Sequence, residues 1–285
     1  MSSLIALRRR IRSAKNISQI TKAMEMVSAS KMKKAQGQAL ATRPFSDKLE
    51  AIIDHIVSSG ATLRHPLMEI RSTRAKAMLI IVSTDKGLCG GLNVNLFKAV
   101  SDWAKNSPHK SLEIVHVRKK AKTTVGAKDW SLKAVFHDIG ETPTFEETRA
   151  IAKLAMDSFL QGEVDEVYTA YPKFISTLTS QPTIKKILPV TSSLGQVQTN
   201  SEYLFEPTPA SLIQELFPYM VEMSVYQIMI DSSASEHSAR MVAMKNASDN
   251  ALELIGNLTL DYNQARQSQV TSELLDATTA RMALA

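Results

Sequence analysis

The sequence predicts an α/β protein in which the N- and C-terminal helices form a long antiparallel coiled coil and the middle forms a small, mostly parallel sheet. Three observations predict this class. Apolar residues recur every three or four positions at both ends, both ends are poor in glycine and proline, and continuous apolar runs occur in the middle. The predicted segments are an N-terminal coiled-coil helix at 1–60, an α/β domain at 74–190 and a C-terminal coiled-coil helix at 208–285 that pairs with the first.

The N-terminal helix is predicted from steps of three and four between apolar or small residues. Three consecutive steps of three, from Ile11 to Ile20, predict local overwinding of the coiled coil. Pro44 lacks a backbone donor, so a kink or break is expected near Arg43. The predicted seam comprises Leu4, Leu7, Ile11, Ala14, Ile17, Ile20, Met24 and Val27.

The middle segment alternates predicted strands with predicted helices, which indicates a mostly parallel sheet. The run at 77–82 is apolar throughout, as expected for a buried parallel strand. A glycine-rich loop at 86–91 follows it. A helix is expected at 144–161, where Thr144 and Glu147 form a capping-box pattern. The other elements are a helix at 92–103 and strands at 112–117, near 132–136, at 164–171 and at 183–190.

The C-terminal helix is predicted from two heptad tracks. Pro218 is the last proline, and the tracks predict a helix of more than about sixty residues, roughly 100 Å long. The seam loses apolar character from Gln269 onward, so we expect the helix to run on there without an intramolecular partner. One track is Met223, Ile230, His237, Met244, Ala251, Leu258 and Ala265; the other is Ala234, Met241, Ser248, Ile255 and Tyr262.

The positive net charge favours an acidic partner but does not identify which kind. The formal net charge is +6, and residues 1–34 hold nine basic residues against one acid, Glu25. Such a run is either a solvated helix face or a contact surface for nucleic acid, an anionic membrane or acidic protein loops. No apolar window is long enough to span a bilayer, so membrane association is expected only through partners. The candidate basic face comprises Arg8, Arg9, Arg10, Arg12, Lys31, Lys33 and Lys34.

Catalytic, cofactor-binding and metal-ligating residues are not expected. The loop Gly87-Leu88-Cys89-Gly90-Gly91 matches neither G-x-G-x-x-G nor a P-loop, so it is interpreted as a generic turn. The six histidines are scattered and show no metal-ligand spacing. The single cysteine, Cys89, excludes an intrachain disulfide and is expected to be a small buried thiol; His237 is expected to be a partly buried seam residue.

Three stretches resemble one family, the gamma subunits of rotary F-type ATP synthases in their bacterial form. They are IRSAKNISQITKAMEMVSASKM at 11–32, DKGLCGGLN at 85–93, and ARMVAMKNASDNA at 239–251 continuing to YNQARQ at 262–267. The resemblance implies a Rossmann-like α/β domain beside the coiled coil. It also implies a non-catalytic rotor shaft that couples ion flow through a membrane c ring to conformational change at three catalytic beta subunits.

The resemblance further implies partners and contact residues. Arg266, Gln267 and Thr271 match positions that contact beta-subunit loops, and Met24 is expected to face the same region. The basic face would meet acidic loops of the alpha–beta hexamer. The expected location is the cytoplasmic side of the bacterial inner membrane. The chain departs from the family at 275–282, and the residues expected near the epsilon subunit and c ring are Tyr203, Leu204, Phe205 and Glu206.

Two other classes of protein are weighed against the rotor. A nucleotide-dependent enzyme would need a phosphate-gripping cation and an acid in the glycine-rich loop, which supplies only Lys86. A nucleic-acid-binding coiled coil would rest on the arginine-rich N-terminus, where base-stacking aromatic residues are missing.

Overall fold

The computed structural model describes residues 4–58, 65–71, 75–124, 130–190 and 209–283. Helices and strands alternate in the middle of these ranges and long helices occupy both ends. The elements in chain order are α1 (Leu4–Ser58), β1 (Lys76–Val82), α2 (Leu92–Asn106), β2 (Ser111–Val117), β3 (Trp130–Phe136), α3 (Phe145–Leu160), β4 (Glu166–Phe174), β5 (Ser180–Leu188) and α4 (Pro209–Ala283).

The five described strands form one sheet in the order β3-β2-β1-β4-β5. The first four are parallel, and β5 pairs antiparallel with β4. The parallel strands therefore have the 3-2-1-4 order typical of doubly wound nucleotide-binding folds. The central strand β1 is buried at every position after Lys76, which confirms the prediction made from its continuous apolar run.

Helices cover both faces of the sheet. Successive side chains of β1 point to opposite faces, so Ile80 joins one apolar core and Ile81 the other. The first core includes Phe159 of α3 and Phe217 of α4, and the second includes Leu96 of α2. The predicted capping box at the start of α3 is confirmed in both directions between Thr144 and Glu147.

The chain divides into two compact units. The first comprises Met1–Ser28 and Arg240–Ala285, where α1 and α4 pair antiparallel, and a side-chain hydrogen bond joins Arg8 to Tyr262. The second comprises Ala29–Ala239 and contains the sheet with α2, α3 and the remaining parts of α1 and α4.

The buried seam of α1 differs from the predicted one. Ile17 and Val27 are more than half exposed, at 54% and 55%, whereas Ser18 and Ser28 are buried. The predicted overwinding is therefore wrong, because the seam keeps an unbroken heptad spacing. A seam chosen by hydrophobicity alone was misplaced, because small side chains such as Ser18 and Ser28 are buried where α1 and α4 approach closely. The seam in the first unit runs through Leu7, Ile11, Ala14, Ser18, Thr21, Glu25 and Ser28.

Of the kink or break predicted near Arg43, the break is wrong, because α1 continues through Pro44. A proline inside a helix costs about 3 kcal/mol, so packing must offset that cost. In the second unit Thr42 donates a hydrogen bond to Gln227 at 2.8 Å, and Phe45 packs edge-to-face on Tyr219 with ring centroids 5.9 Å apart. These contacts with α4 flank the proline on both sides.

The first heptad track of α4 is confirmed. Its members from Met223 to Leu258 are buried, and Ala265 is partly buried. His237 is only 2% exposed, so the expectation of a partly buried residue is corrected to a fully buried one. From Arg266 to Met282 every residue is exposed, which confirms that the end of α4 runs on without a partner among the helices that the structure describes.

Candidate functional surfaces

Basic side chains surround the start of α1 in the first unit. Arg8 donates from Nη2 to the hydroxyl of Tyr262 at 2.7 Å and lies over that ring, so it is engaged within the chain. Arg9, Arg10 and Arg12 are exposed. A cavity of ≈ 550 Å³ opens here, with an apolar floor flanked by arginines, and it is lined by Ala6, Arg9, Arg10, Ser13, Ala14, Ile17, Leu254 and Leu258.

Large apolar side chains are exposed on the same unit. The α1 residues Ile17, Ile20 and Val27 are more than half exposed because the buried seam passes beside them. A cluster of exposed apolar residues usually marks a surface that binds a partner, whereas single exposed apolar residues are ordinary. Further exposed members are Ile5, Met26, Leu252, Leu254 and Leu260.

The unpartnered end of α4 carries three of the residues expected to contact beta subunits. Arg266, Gln267 and Thr271 are exposed. Within the described residues Arg266 has no hydrogen bond or ion pair, whereas the Thr271 hydroxyl donates to the backbone carbonyl of Gln267 at 2.9 Å. The guanidinium of Arg266 therefore presents its full set of donors to an external partner.

Met24 does not lie beside Arg266, which corrects the expectation that both face one region. The antiparallel register pairs Arg8 with Tyr262. Met24 lies sixteen residues from this pair along α1, and Arg266 lies four residues from it along α4. Because the helices are antiparallel, these two residues lie on opposite sides of the pair. At 1.5 Å per residue the separation along the helix pair is about 30 Å. Tyr203, Leu204, Phe205 and Glu206 lie outside the described residues.

Charged groups gather at the carboxyl edge of the sheet in the second unit. Arg118 follows β2, is 0% exposed, and adopts a left-handed backbone conformation with φ of 68°. It donates from Nη1 to Glu236 at 3.0 Å and from Nη2 to Ser233 at 2.8 Å and to the carbonyl of Gly140 at 3.1 Å. The guanidinium thus links the loops after β2 and β3 to α4.

A second charged group at this edge centres on Glu141. Its carboxylate accepts hydrogen bonds from Lys31 of α1 and from Lys86 of the glycine-rich loop, the latter at 2.6 Å. The hydrogen bonds from Lys31 and Lys86 lower the pKa of Glu141 to about 2. Lys31, expected in the exposed basic face, is therefore engaged within the chain, whereas Lys33 and Lys34 remain exposed.

The glycine-rich loop is held by hydrogen bonds between side chains of the loop and of the residues that flank it. Leu88 and Gly90 have φ of 62° and 59°, which folds the loop back before α2 begins. Cys89 is buried, as predicted, and accepts a hydrogen bond from Asn93 at 3.6 Å. The Asn93 amide also donates to Thr84 at 2.7 Å. The loop is therefore a structural turn in this chain.

Sequence reasoning missed a polar cluster under α2. Glu166 accepts hydrogen bonds from Tyr168 and Lys186, each at 2.7 Å, and lies 3.2 Å from Nε2 of His109. Burial raises the pKa of Glu166, but the hydrogen bonds from Lys186 and Tyr168 outweigh it and leave that pKa below the usual value. In the sequence only Glu166 at the start of the predicted strand hinted at this cluster, because its partners are brought to it by the tertiary fold.

Among the residues that the structure describes, no three His, Cys, Asp or Glu side chains are grouped to hold a metal ion. Over the same ranges the helices include none that is long and apolar enough to cross a membrane.

The fold defines a class of α/β protein with paired long helices. Its exposed basic and apolar side chains suit protein partners. The carboxyl edge of its sheet is occupied by side chains of the protein itself. A family model described as ATP synthase matches residues 3–284. The chain belongs to the ATP synthase gamma-chain family, which confirms the resemblance read from its three motifs.

Relatives named ATP synthase gamma chain match the whole chain. Those from Dehalococcoides mccartyi (strain BAV1) and Roseiflexus sp. (strain RS-1) are 42% and 39% identical over 288 residues, covering all of this chain and 100% and 99% of the relative. The relative from Glaesserella parasuis is 41% identical over 279 residues, covering 96% of each.

Solved structures share the fold. The rotor of Euglena gracilis mitochondrial ATP synthase superposes with a TM-score of 0.65 at 18% identity, over 94% of this chain and 98% of that chain. The central stalk of Tetrahymena thermophila mitochondrial ATP synthase gives a TM-score of 0.60 at 25% identity, over 80% of this chain and 99% of that chain.

Proposed function

We propose that the chain is the central rotor shaft of an ATP synthase. It couples ion flow through a membrane c ring to sequential conformational change at three catalytic beta subunits, for ATP synthesis or hydrolysis. The observation that carries this proposal is the antiparallel helix pair, with its unpartnered α4 end, in a chain matched along its length by gamma chains. The chain is not an enzyme by itself, because catalysis belongs to the beta subunits.

The physical basis is a symmetry argument. Three identical sites in a ring have no reason to differ from one another. A single asymmetric shaft presents a different face to each site and so biases each toward a different conformation and nucleotide affinity. Rotation of the shaft moves that bias around the ring. The shaft therefore needs length, stiffness and a shaped surface rather than reactive groups.

The contacts with beta subunits are assigned to two places on the helix pair. At the end of α4, Arg266 can pair bidentately with a loop carboxylate, while Gln267 and Thr271 add polar contacts. The exposure of all three and the unpaired guanidinium of Arg266 support this assignment. Met24 forms a separate contact about 30 Å away along the helices.

The basic face meets acidic loops of the alpha–beta hexamer. Arg9, Arg10, Arg12, Lys33 and Lys34 are exposed and are assigned to these contacts. Arg8 and Lys31 were expected in the same face. They instead bind Tyr262 and Glu141 of the same chain and are not assigned to these contacts.

The remaining partners are the epsilon subunit and the c ring, assigned to Tyr203, Leu204, Phe205 and Glu206. A related assembly from Euglena gracilis contains OSCP, F1 and a c-ring, and one of its chains superposes on this one with a TM-score of 0.67 at 18% identity. The bacterial relatives support a location on the cytoplasmic side of the bacterial inner membrane, with membrane association through partners. Nucleic acid is not a partner in this proposal.

Reconstitution tests the proposal. Purified alpha and beta subunits are mixed with the full chain, and assembly and ATP hydrolysis are measured. We expect one copy of the chain per hexamer and a higher, sustained ATPase rate. Failure to co-purify with the hexamer, or tight stoichiometric binding of ATP or NAD to the isolated chain in calorimetry, would contradict the proposal and favour the nucleotide-dependent enzyme.

A further inference from the structure

The carboxyl edge of a doubly wound sheet is where such folds hold ligands, at the point where strand order reverses. In this chain the loops after β1, β2 and β3 bring Lys86, Arg118 and Glu141 to that edge. The groups that they bind belong to the long helices, Lys31 on α1 and Ser233 with Glu236 on α4. The position of a ligand is therefore taken by the chain's own helices, and we call these six residues the helix socket.

The α4 side of the socket is buried and geometrically fixed. The Arg118–Glu236 pair is 0% and 2% exposed at its side chains. A buried charge that loses its partner is strongly destabilising, so this side also holds the fold together. The guanidinium of Arg118 donates to Glu236 and Ser233 of α4 and to Gly140 in the loop after β3. Neither α4 nor this loop can shift relative to Arg118 without breaking one of these hydrogen bonds.

The α1 side of the socket is more open. Side-chain exposure is 23% for Glu141, 43% for Lys31 and 69% for Lys86. Ion pairs with this exposure contribute little to folding stability. Their geometry nevertheless restrains movement, because lysines from α1 and from the glycine-rich loop each bind a different oxygen of one carboxylate. We therefore expect the fold to survive removal of the α1 side.

We propose that the helix socket is the joint that makes the sheet and the long helices turn together, and that Glu141 is its positioning residue for α1. This inference rests on the proposed rotor function. Torque applied to the sheet reaches α4 through Arg118 and α1 through Glu141. Without Glu141, α1 slips against the sheet under load, and part of each rotation is lost before it reaches the catalytic sites.

The test uses the complete ATP synthase in sealed vesicles with the full chain. Glu141→Gln removes the charge and keeps the side-chain shape. We expect ATP hydrolysis near the wild-type rate, whereas protons pumped per ATP hydrolysed fall below about half of the wild-type ratio. Glu146→Gln is the matched control, because Glu146 pairs with Arg149 within α3, at 76% side-chain exposure, and is not part of the socket. The control should keep the wild-type ratio.

A charge exchange separates positioning from a general loss of structure. Lys31→Glu alone places two carboxylates together and should lower the pumping ratio. Adding Glu141→Lys should restore part of it, because the pair with position 31 is re-formed while Lys86 then faces a lysine. Wild-type pumping by Glu141→Gln, or a double variant no better than Lys31→Glu, overturns the proposal; if Glu141→Gln fails to assemble, the double variant decides alone. A wild-type chain that supports no pumping would instead refute the rotor function itself.

Discussion

Arg8 and Tyr262 lock the register of the terminal helices. The Arg8 guanidinium lies 5.6 Å from the centre of the Tyr262 ring, and Nη2 donates to the phenol oxygen at 2.7 Å, although the residues are 254 positions apart. The pair combines a hydrogen bond with a cation–π contact. It lies close to the last partly buried residue of α4, Ala265, and so marks where the helix pair ends.

Removing the Tyr262 hydroxyl should loosen this end of the pair. We expect Tyr262→Phe to lower the free energy of unfolding by about 0.5–1 kcal/mol, since the ring contact remains while the hydrogen bond is lost. Tyr262→Ala should cost more. Urea unfolding followed by circular dichroism measures both, with the exposed Asn263→Ala as control. Equal stability of Tyr262→Phe and wild type would show that the hydrogen bond contributes nothing.

Neutralising Glu236 should strongly destabilise the second unit. Glu236→Gln removes the nearer carboxylate from the fully buried Arg118 and leaves only Asp85, whose Oδ2 lies 3.9 Å from Nε, so we expect a loss approaching about 3–5 kcal/mol. The double variant Arg118→Met/Glu236→Gln should recover part of that loss, because no buried charge remains. Chemical denaturation of wild type, Glu236→Gln, Arg118→Met and the double variant forms a double-mutant cycle. Additive effects in the cycle would mean that the two side chains act independently.

The contribution of Glu141 to stability should depend on pH in the acid range. Its folded pKa, about 2, lies below the ordinary value of 4.5, so its stabilisation is fully present above pH 4.5 and is lost as the pH falls through 2. The difference in urea midpoint between wild type and Glu141→Gln should be constant from neutral pH to about pH 5 and then shrink. A difference that persists unchanged at pH 2 would argue against ion pairing at this site.

Arg266→Ala should impair function and leave folding intact. The side chain is exposed and has no partner among the described residues, so the melting temperature should not change. In the reconstituted hexamer we expect a lower ATPase rate, with only partial recovery by Arg266→Lys because lysine cannot pair bidentately. The exposed Lys245→Ala, on the same helix, controls for loss of one positive charge. An unchanged ATPase rate would count against a contact at Arg266.

Local signals predicted much of the fold. The apolar run of β1 and the capping box at Thr144 each lie within a few residues, and the heptad track of α4 repeats at a fixed spacing along one helix; the structure confirms all three. The α1 seam was mispredicted because helix approach selected Ser18 over Ile17, which hydrophobicity does not register. Pro44 was misjudged because the contacts that retain it come from α4.

The helix socket could not be predicted from sequence. Its partners are brought together only by the tertiary fold: Arg118 and Glu236 are 118 positions apart, and Lys31 and Glu141 are 110 apart. A single sequence contains no local pattern that pairs such residues. The basic run near the N-terminus was visible, but composition could not separate Lys31, which pairs with Glu141, from Lys33 and Lys34, which have no ion pair with any residue in the described ranges.

Rotation of single complexes tests the central claim most directly. Leu178 is 80% exposed at the tip of the β4–β5 hairpin and Cys89 is buried, so Leu178→Cys gives one accessible thiol among the described residues for attaching a visible probe. With alpha and beta subunits immobilised and ATP supplied, the shaft account predicts rotation of the probe in one direction with three equal steps per turn. A probe that stays fixed, or moves without direction, while the complex hydrolyses ATP would contradict it.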